Sequence, residues 1–388
     1  MRRNIAPLLL VFVSLMALFG LSGCGSKKSH AILSQTSAPP KLLSEVDLKL
    51  YKPNEAGAIM IVMYHEFNPN KPNGPMNRTP GQFRKDLETF YKEGYYPVNV
   101  SDIVDDTMNV PAGKTPIALT FDDSRRSQFN VIIGANGAPQ IDPNCAVGIM
   151  ETFHKQHPDW PTKGTFFCLP EEGPFPPTFY QRDYVADKIE TLLKDGYEIA
   201  NHTSTHPSMR DYTPAQIEWQ IAQSIRDFKA INPNVNMQCL ALPYGNIPTS
   251  PQAQKALISG ENNGTSYHMH AILLAAWRPV MSPITKIIHS KEIYGGMAPY
   301  NPYRLERVLP NPKQANVCGT LEYWLKFFQQ NPQMRYVSDG NPNIVAVPKD
   351  YQSIVNVAKI KAEGKVLQLY SLNSYNGSSG GASTLNVQ

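Results

Sequence analysis

Two adjacent aspartates and two histidines four residues apart are the side chains in this sequence best suited to chemistry. Asp122 and Asp123 follow the apolar run Ile117-Ala118-Leu119, and His202 and His206 follow Tyr197-Glu198-Ile199-Ala200. Neighbouring carboxylates repel, so such a pair is stable only with a cation or a proton between them. One carboxylate and two imidazoles form a ligand set that suits zinc and leaves coordination positions open for water. Pro207 disfavours the α region at His206, so the two histidines would meet an ion from a turn and not from a regular helix. A third segment, Pro243-Tyr244-Gly245, is turn chemistry after the apolar Cys239-Leu240-Ala241.

Each of these groups sits at the end of a short apolar run, and between the runs lie helical patterns. Strands are expected over 58–67, 115–124, and from Gly164, Gly196 and Met237; helices over 79–93, 145–157, 184–195 and 213–231. The last opens with Thr213 as N-cap and Pro214 at the first helical position. Alternation of this kind predicts an α/β fold with a mainly parallel sheet, whose strand C-termini gather the polar groups. No internal repeat is evident.

In this order the segments resemble the polysaccharide deacetylase (NodB homology) family of carbohydrate esterases. TFDDS at 120–124 is similar to the family's TFDDG, HTSTH at 202–206 to its H-[ST]-x-x-H, and LALPYG at 240–245 to its R-x-P-Y-G. TFFCLP fits the family's TFF strand, and Met63-Tyr64-His65-Glu66 extends the likeness upstream. The resemblance implies a distorted (β/α)7 barrel, with Asp123, His202 and His206 holding a divalent metal such as Zn²⁺. It implies Asp122 as general base, and Pro243 and Tyr244 as the turn whose backbone N–H meets the oxyanion. The implied activity is removal of N-acetyl groups from an N-acetylhexosamine-containing cell-wall or extracellular polysaccharide. A polysaccharide O-acetyl esterase and a non-catalytic glycan-binding surface protein are the alternatives.

The sequence departs from the family in three places. Ser124 replaces Gly, and Ala241 replaces the Arg that pairs with the catalytic Asp, so Asp122 is expected to lack an orienting partner. The general-acid histidine has no clear match; His289 is the best placed, with His268, His270 and His65 as the other candidates. Residues 261–310 are irregular and rich in aromatics, among them Trp277, Tyr300 and Tyr303, which suit either a core or a platform for sugar rings.

The whole chain has 388 residues, 36 Lys+Arg against 32 Asp+Glu, and a formal net charge of +4. That is too little for a nucleic-acid reader. Arg2 and Arg3 precede an apolar stretch from Leu8 to Leu21 that reads as an export signal, ending in Leu21-Ser22-Gly23-Cys24. This run looks like the lipobox of bacterial lipoproteins, implying cleavage before Cys24, lipidation of its thiol, and an extracytoplasmic, membrane-anchored protein at the cell surface. The expected organisation is a signal peptide over 1–23, a lipidated N-terminus and flexible tether over 24–57, and an N-terminal extension over 58–114. The catalytic domain follows over 115–310, then a C-terminal part of the barrel or an appendage over 311–372, and a disordered tail over 373–388. Cys145, Cys168, Cys239 and Cys318 allow three disulfide pairings; Cys168 and Cys239 lie in apolar runs, where buried free thiols are expected.

Overall fold

A computed structural model describes residues 40–71, 73–170, 178–275, 277–286 and 296–371. Six strands run parallel: β1 (Ala58–Tyr64), β3 (Thr115–Asp122), β4 (Thr165–Cys168), β5 (Glu198–Asn201), β6 (Cys239–Ala241) and β7 (Ala271–Leu273), with β2 (Tyr95–Val98) alongside the start of β3. The sheet order is β7-β6-β5-β4-β3-β1, and Val280–Met281 pairs antiparallel with the start of β1. All eight residues of β3 are buried, as a continuous apolar run in a parallel sheet covered on both faces requires.

The sheet curls until its two ends share one further segment. Leu305 N–H donates to Ile272 O (2.9 Å) and Leu305 O accepts from Leu274 N–H (2.8 Å). Three residues on, Val308 N–H donates to Ile61 O (2.8 Å) and its carbonyl accepts from Met63 N–H (2.9 Å). Residues 305–308 therefore bridge Leu273 on one side and Val62 on the other, both in parallel sense. They act as a minimal seventh stave, which gives the expected barrel its distorted form.

Registers bring the strand ends to one rim. Tyr64 lies opposite Phe121, Asp122 opposite Phe167, Cys168 opposite Asn201, and Ala241 opposite Leu273. Helices are started by local chemistry: Thr79 caps Pro80–Lys92, and Thr213 forms a capping box with Gln216 at the head of Pro214–Ile231. Stacked Phe121 and Phe166, 4.5 Å between ring centres, and the edge-to-face pair Tyr64 and Phe83 fill the core beneath the rim.

The end of the expected tether is folded. Glu45–Tyr51 is a helix capped by Ser44, and its Leu48 is buried with Ile344, Ala346 and Tyr370 of the parallel pair Ile344–Pro348 and Val366–Tyr370. A strand pair too small to bury its own face recruits this helix. Cys145, Cys168 and Cys239 are free and buried, and Cys318 is free and exposed. The expected signal, Cys24 and the tail lie outside the described residues, as does His289. No helix among the described residues is long and apolar enough to cross a membrane.

Candidate active site

At the end of β3 the backbone turns sharply, with φ of 74° at Asp123 and 47° at Ser124. This left-handed turn is where the family's Gly would sit without strain. Ser124 is held in it instead by two bonds: its Oγ accepts from Leu169 N–H (2.8 Å) and its carbonyl accepts from Phe179 N–H (2.9 Å). Fully buried Gln128 donates through Nε2 to both His65 O and Asp122 O, tying the ends of β1 and β3 together.

The turn aims the Asp123 carboxylate at the two histidines. Its Oδ1 lies 3.3 Å from His202 Nε2 and 3.2 Å from His206 Nε2, and one ligand atom from each of the three residues lies within 4.8 Å of the others. These separations fit a small cation: ligand bonds of about 2.0 Å to a tetrahedral zinc place neighbouring ligand atoms about 3.3 Å apart. The tautomer fits too, because His202 Nδ1 lies 2.9 Å from Ala241 O, so that nitrogen carries the proton and Nε2 offers its lone pair. Arg125 donates from Nε (3.2 Å) and Nη2 (2.9 Å) to Asp123 Oδ2, leaving Oδ1 for the ion. The group could therefore hold a divalent metal.

The segment between the histidines is a turn with φ of 70° at Thr203 and 54° at His206. Thr203 Oγ1 accepts from His206 N–H (3.0 Å), and Asn201 Oδ1 accepts from Thr203 N–H (2.7 Å). From the helix Pro214–Ile231, buried Gln220 accepts from Ser204 N–H (3.0 Å) and Thr205 N–H (2.9 Å) and donates to Thr205 Oγ1 (2.7 Å).

Asp122 does have an orienting partner, contrary to the expectation drawn from Ala241. Arg307, on the seventh stave and 1% exposed, reaches across the barrel to grip both carboxylate oxygens, Nη1 to Oδ1 at 2.7 Å and Nη2 to Oδ2 at 2.8 Å. Its Nε donates to Leu274 O (2.9 Å), which fixes the fork. Burial alone would raise the Asp122 pKa, but the charge and hydrogen bonds of Arg307, with His202, hold it below the usual carboxylate range. The base candidate is therefore ionised.

Of the general-acid candidates, His65 is at the site, its Nε2 3.9 Å from Asp122 Oδ2. Burial lowers its pKa more than the nearby aspartates raise it, so the ring is neutral. His270 precedes β7 at the opposite end of the barrel, where its Nδ1 lies 2.9 Å from Asp105 and its Nε2 3.1 Å from Gln238; His268 neighbours it with 6.0 Å between ring centres. Both are removed from the rim.

In the Pro243-Tyr244-Gly245 turn, Tyr244 has φ 59°, and Gly245 N–H donates to Leu242 O (2.8 Å). A Cβ at Gly245 would stand 2.8 Å from Ala275 N, so glycine is required for this turn to pack on the loop after β7. The Tyr244 ring is exposed and packs 4.9 Å from His206. Trp277 is also exposed, whereas Tyr300 is core. Arg125, which binds Asp123, also lines a groove of about 900 Å³ together with Glu66, Arg126 and Tyr180 among others.

Residues 109–257 match the family model described as polysaccharide deacetylase. A chitooligosaccharide deacetylase of Rhizobium leguminosarum bv. phaseoli is 33% identical over 90 residues, covering 20% of this chain and 39% of the relative. One from Bradyrhizobium is 29% identical over 89 residues, covering 20% of this chain and 41% of the relative. The chain thus spans about two-fifths of the length of these relatives. Among solved structures, the Streptococcus pyogenes deacetylase PplD aligns at 17% identity and a TM-score of 0.42, covering 66% of this chain and 93% of that one. IcaB from Ammonifex degensii aligns at 13% identity and 0.44, covering 70% and 97%. Over residues 109–257, then, the chain is similar to the polysaccharide deacetylase family.

Proposed function

We propose that the protein is a metal-dependent hydrolase that removes N-acetyl groups from an N-acetylhexosamine-containing polysaccharide of the cell wall or extracellular matrix. The observation that carries this is the convergence of His202 and His206 on Asp123 Oδ1, directly beside the Arg307-held carboxylate of Asp122. Asp123, His202 and His206 hold the ion, of zinc type by the chemistry of the donors. Such a cation supplies Lewis acidity toward an acyl oxygen and toward water.

The rest is done by the chain. Ionised Asp122 accepts the proton of the water that attacks the acetyl carbon. The Tyr244 backbone N–H, set by its turn, donates to the acyl oxygen as charge develops there. The proton taken up by Asp122 passes through the neutral His65 ring beside it to the sugar nitrogen as the carbon–nitrogen bond breaks, so that acetate and a free amine result and both side chains return to their starting states. The lipobox-like sequence around Cys24 supports anchoring on the outer side of the cytoplasmic membrane, next to such polymers.

Acetate release from chitooligosaccharide, with acetylated xylan run in parallel, tests the reading. His202→Ala and His206→Ala are each expected to lose metal. Asp122→Asn is expected to keep it and lose about 10²- to 10⁴-fold in turnover. Metal-loaded protein that releases acetate only from xylan, or from neither glycan, overturns the assignment.

A further inference from the structure

We propose that the substrate polymer carries an anionic substituent, a carboxylate or a phosphate, close to the sugar that is deacetylated, and that Arg126 beside Arg125 receives it. The inference rests on the deacetylase reading and names its substrate class.

The groove of about 900 Å³ begins at Arg125, which touches Asp123, and continues past Arg126, Asn130 and Asp142. Of its acids, Glu66 is neutralised by Lys71 at 2.8 Å, and Asp142 turns its oxygens to the neutral donors Asn130 Nδ2 (2.9 Å) and Asn144 N–H (2.9 Å). Against the one remaining acid stand two further guanidiniums. Arg126 is exposed and donates through Nε to Asn130 Oδ1 (2.8 Å), with no carboxylate partner within 4 Å among the described residues. Arg84 brings a third guanidinium behind the lining, bound to Pro143 O (2.8 Å) and to Oδ1 of the lining residue Asn144 (2.9 Å), both uncharged.

Helix polarity adds to the same sign. Pro80 and Gly81, the first residues of the helix Pro80–Lys92, and Cys145, the N-cap of Ala146–Gln156, lie along the groove, so both positive ends face it. Arg125 already carries Tyr180 Oη (3.0 Å) and Asp123, which leaves Arg126 with the donors to spare. A guanidinium presented this way binds a carboxylate or phosphate through paired N–H groups, and a neutral hydroxyl far less well. A divalent ion at Asp123 would add further positive charge to the groove's inner end.

The test compares kcat/KM for acetate release from three hexasaccharides with the zinc-loaded full chain. They are chitohexaose, an alternating N-acetylglucosamine–glucuronate oligomer, and a phosphodiester-linked N-acetylglucosamine oligomer. At least one anionic substrate is expected to exceed chitohexaose by on the order of tenfold, the worth of one charge-assisted hydrogen bond. Whichever is preferred identifies the group. Arg126→Ala should remove most of that ratio and Arg126→Glu should invert it. Raising salt from about 0.1 to about 1 M, which shortens the screening length from about 10 to about 3 Å, should compress the ratio in the wild type. Equal turnover of all three, with Arg126→Glu leaving the ratio unmoved, overturns the anionic substrate while leaving the deacetylase standing. No acetate from any of them, with metal bound, removes both.

Discussion

Replacing Arg307 by Met takes away the guanidinium fork that holds Asp122, and the structure sets the scale of the loss. Both partners are buried, 1% and 2% exposed, and joined by bonds of 2.7 and 2.8 Å. Breaking such a pair leaves an uncompensated charge in a dry barrel and costs about 3–5 kcal/mol. Asp122→Leu, which strands the guanidinium instead, should cost a similar amount. The double variant Arg307→Met with Asp122→Leu leaves neither charge behind, so it should lie within about 2 kcal/mol of the wild type, because a buried pair repays little beyond its own desolvation. Urea unfolding of the metal-free proteins reads all four corners of this cycle. An interaction energy of at least about 3 kcal/mol is expected. Arg307→Lys should recover only part of the loss, since an ammonium cannot make the two-pronged contact. Metal content separates position from collapse: Arg307 touches none of Asp123, His202 and His206, so Arg307→Met should still bind zinc while losing turnover. A cost below about 1 kcal/mol for Arg307→Met, or simple additivity in the double variant, would refute the idea that this arginine neutralises and orients the base.

Two other perturbations probe what surrounds the site and the far end of the barrel. Gln220→Leu removes the acceptor of Ser204 and Thr205 N–H and should weaken zinc binding about 10- to 100-fold in a competition titration, with unaltered affinity counting against the clamp. Asp339 is buried, its N–H donates to Glu55 Oε1 (3.2 Å), and burial pushes its pKa up to about 6, with Lys365 opposing; Glu55 is raised as well, by burial and by Asp339, with Tyr336 and Asp106 facing it. A carboxyl whose folded pKa lies above its unfolded value binds more protons when folded, so its contribution to stability falls as pH rises from about 4 to about 6 and stays low above that. Asp339→Asn should therefore flatten this slope and raise stability at neutral pH by up to roughly 3 kcal/mol, and parallel Tm-versus-pH curves for the two proteins would contradict it.

How much of this was legible depended on how local each cause was. The rim of the barrel could be read because β1, β3 and β5 are largely apolar runs that stop at polar residues, with two of the motifs at such ends and the third in the turn after β6. Arg307 could not. Its stave is four residues long, flanked by Pro302 and Pro310, and forms only a single bridge to each neighbour, so no alternation marks it as a strand. The missing arginine at Ala241 suggested an unsupported base because a motif is read along the chain. A guanidinium in a barrel can arrive from any stave whose side chain points inward, and here it comes from the seventh. Gln220 was hidden for the opposite reason: a glutamine in an amphipathic helix reads as solvent-facing, and only the loop folded over it makes it buried. His65 was visible as a candidate but could not be ranked above His289, since nothing local says which strand end faces Asp122.

These hidden residues share one physical task. Asp123, Ser124, Thr203, His206 and Tyr244 all have positive φ, each at a cost of about 1–3 kcal/mol for a residue with a side chain. Parallel strands that end at one rim send successive side chains to alternate faces of the sheet, so the chain must turn sharply after the last strand residue to bring a carboxylate and two imidazoles to one point. Strained turns persist only where neighbours fix them. Leu169 and Phe179 bind Ser124, Asn201 and Gln220 bind the histidine turn, and Ala275 packs on Gly245. A graft of the aspartates and histidines onto another barrel without these supports would thus supply the ligands but not their convergence. The ion alone would then have to impose the turns, at the expense of its affinity.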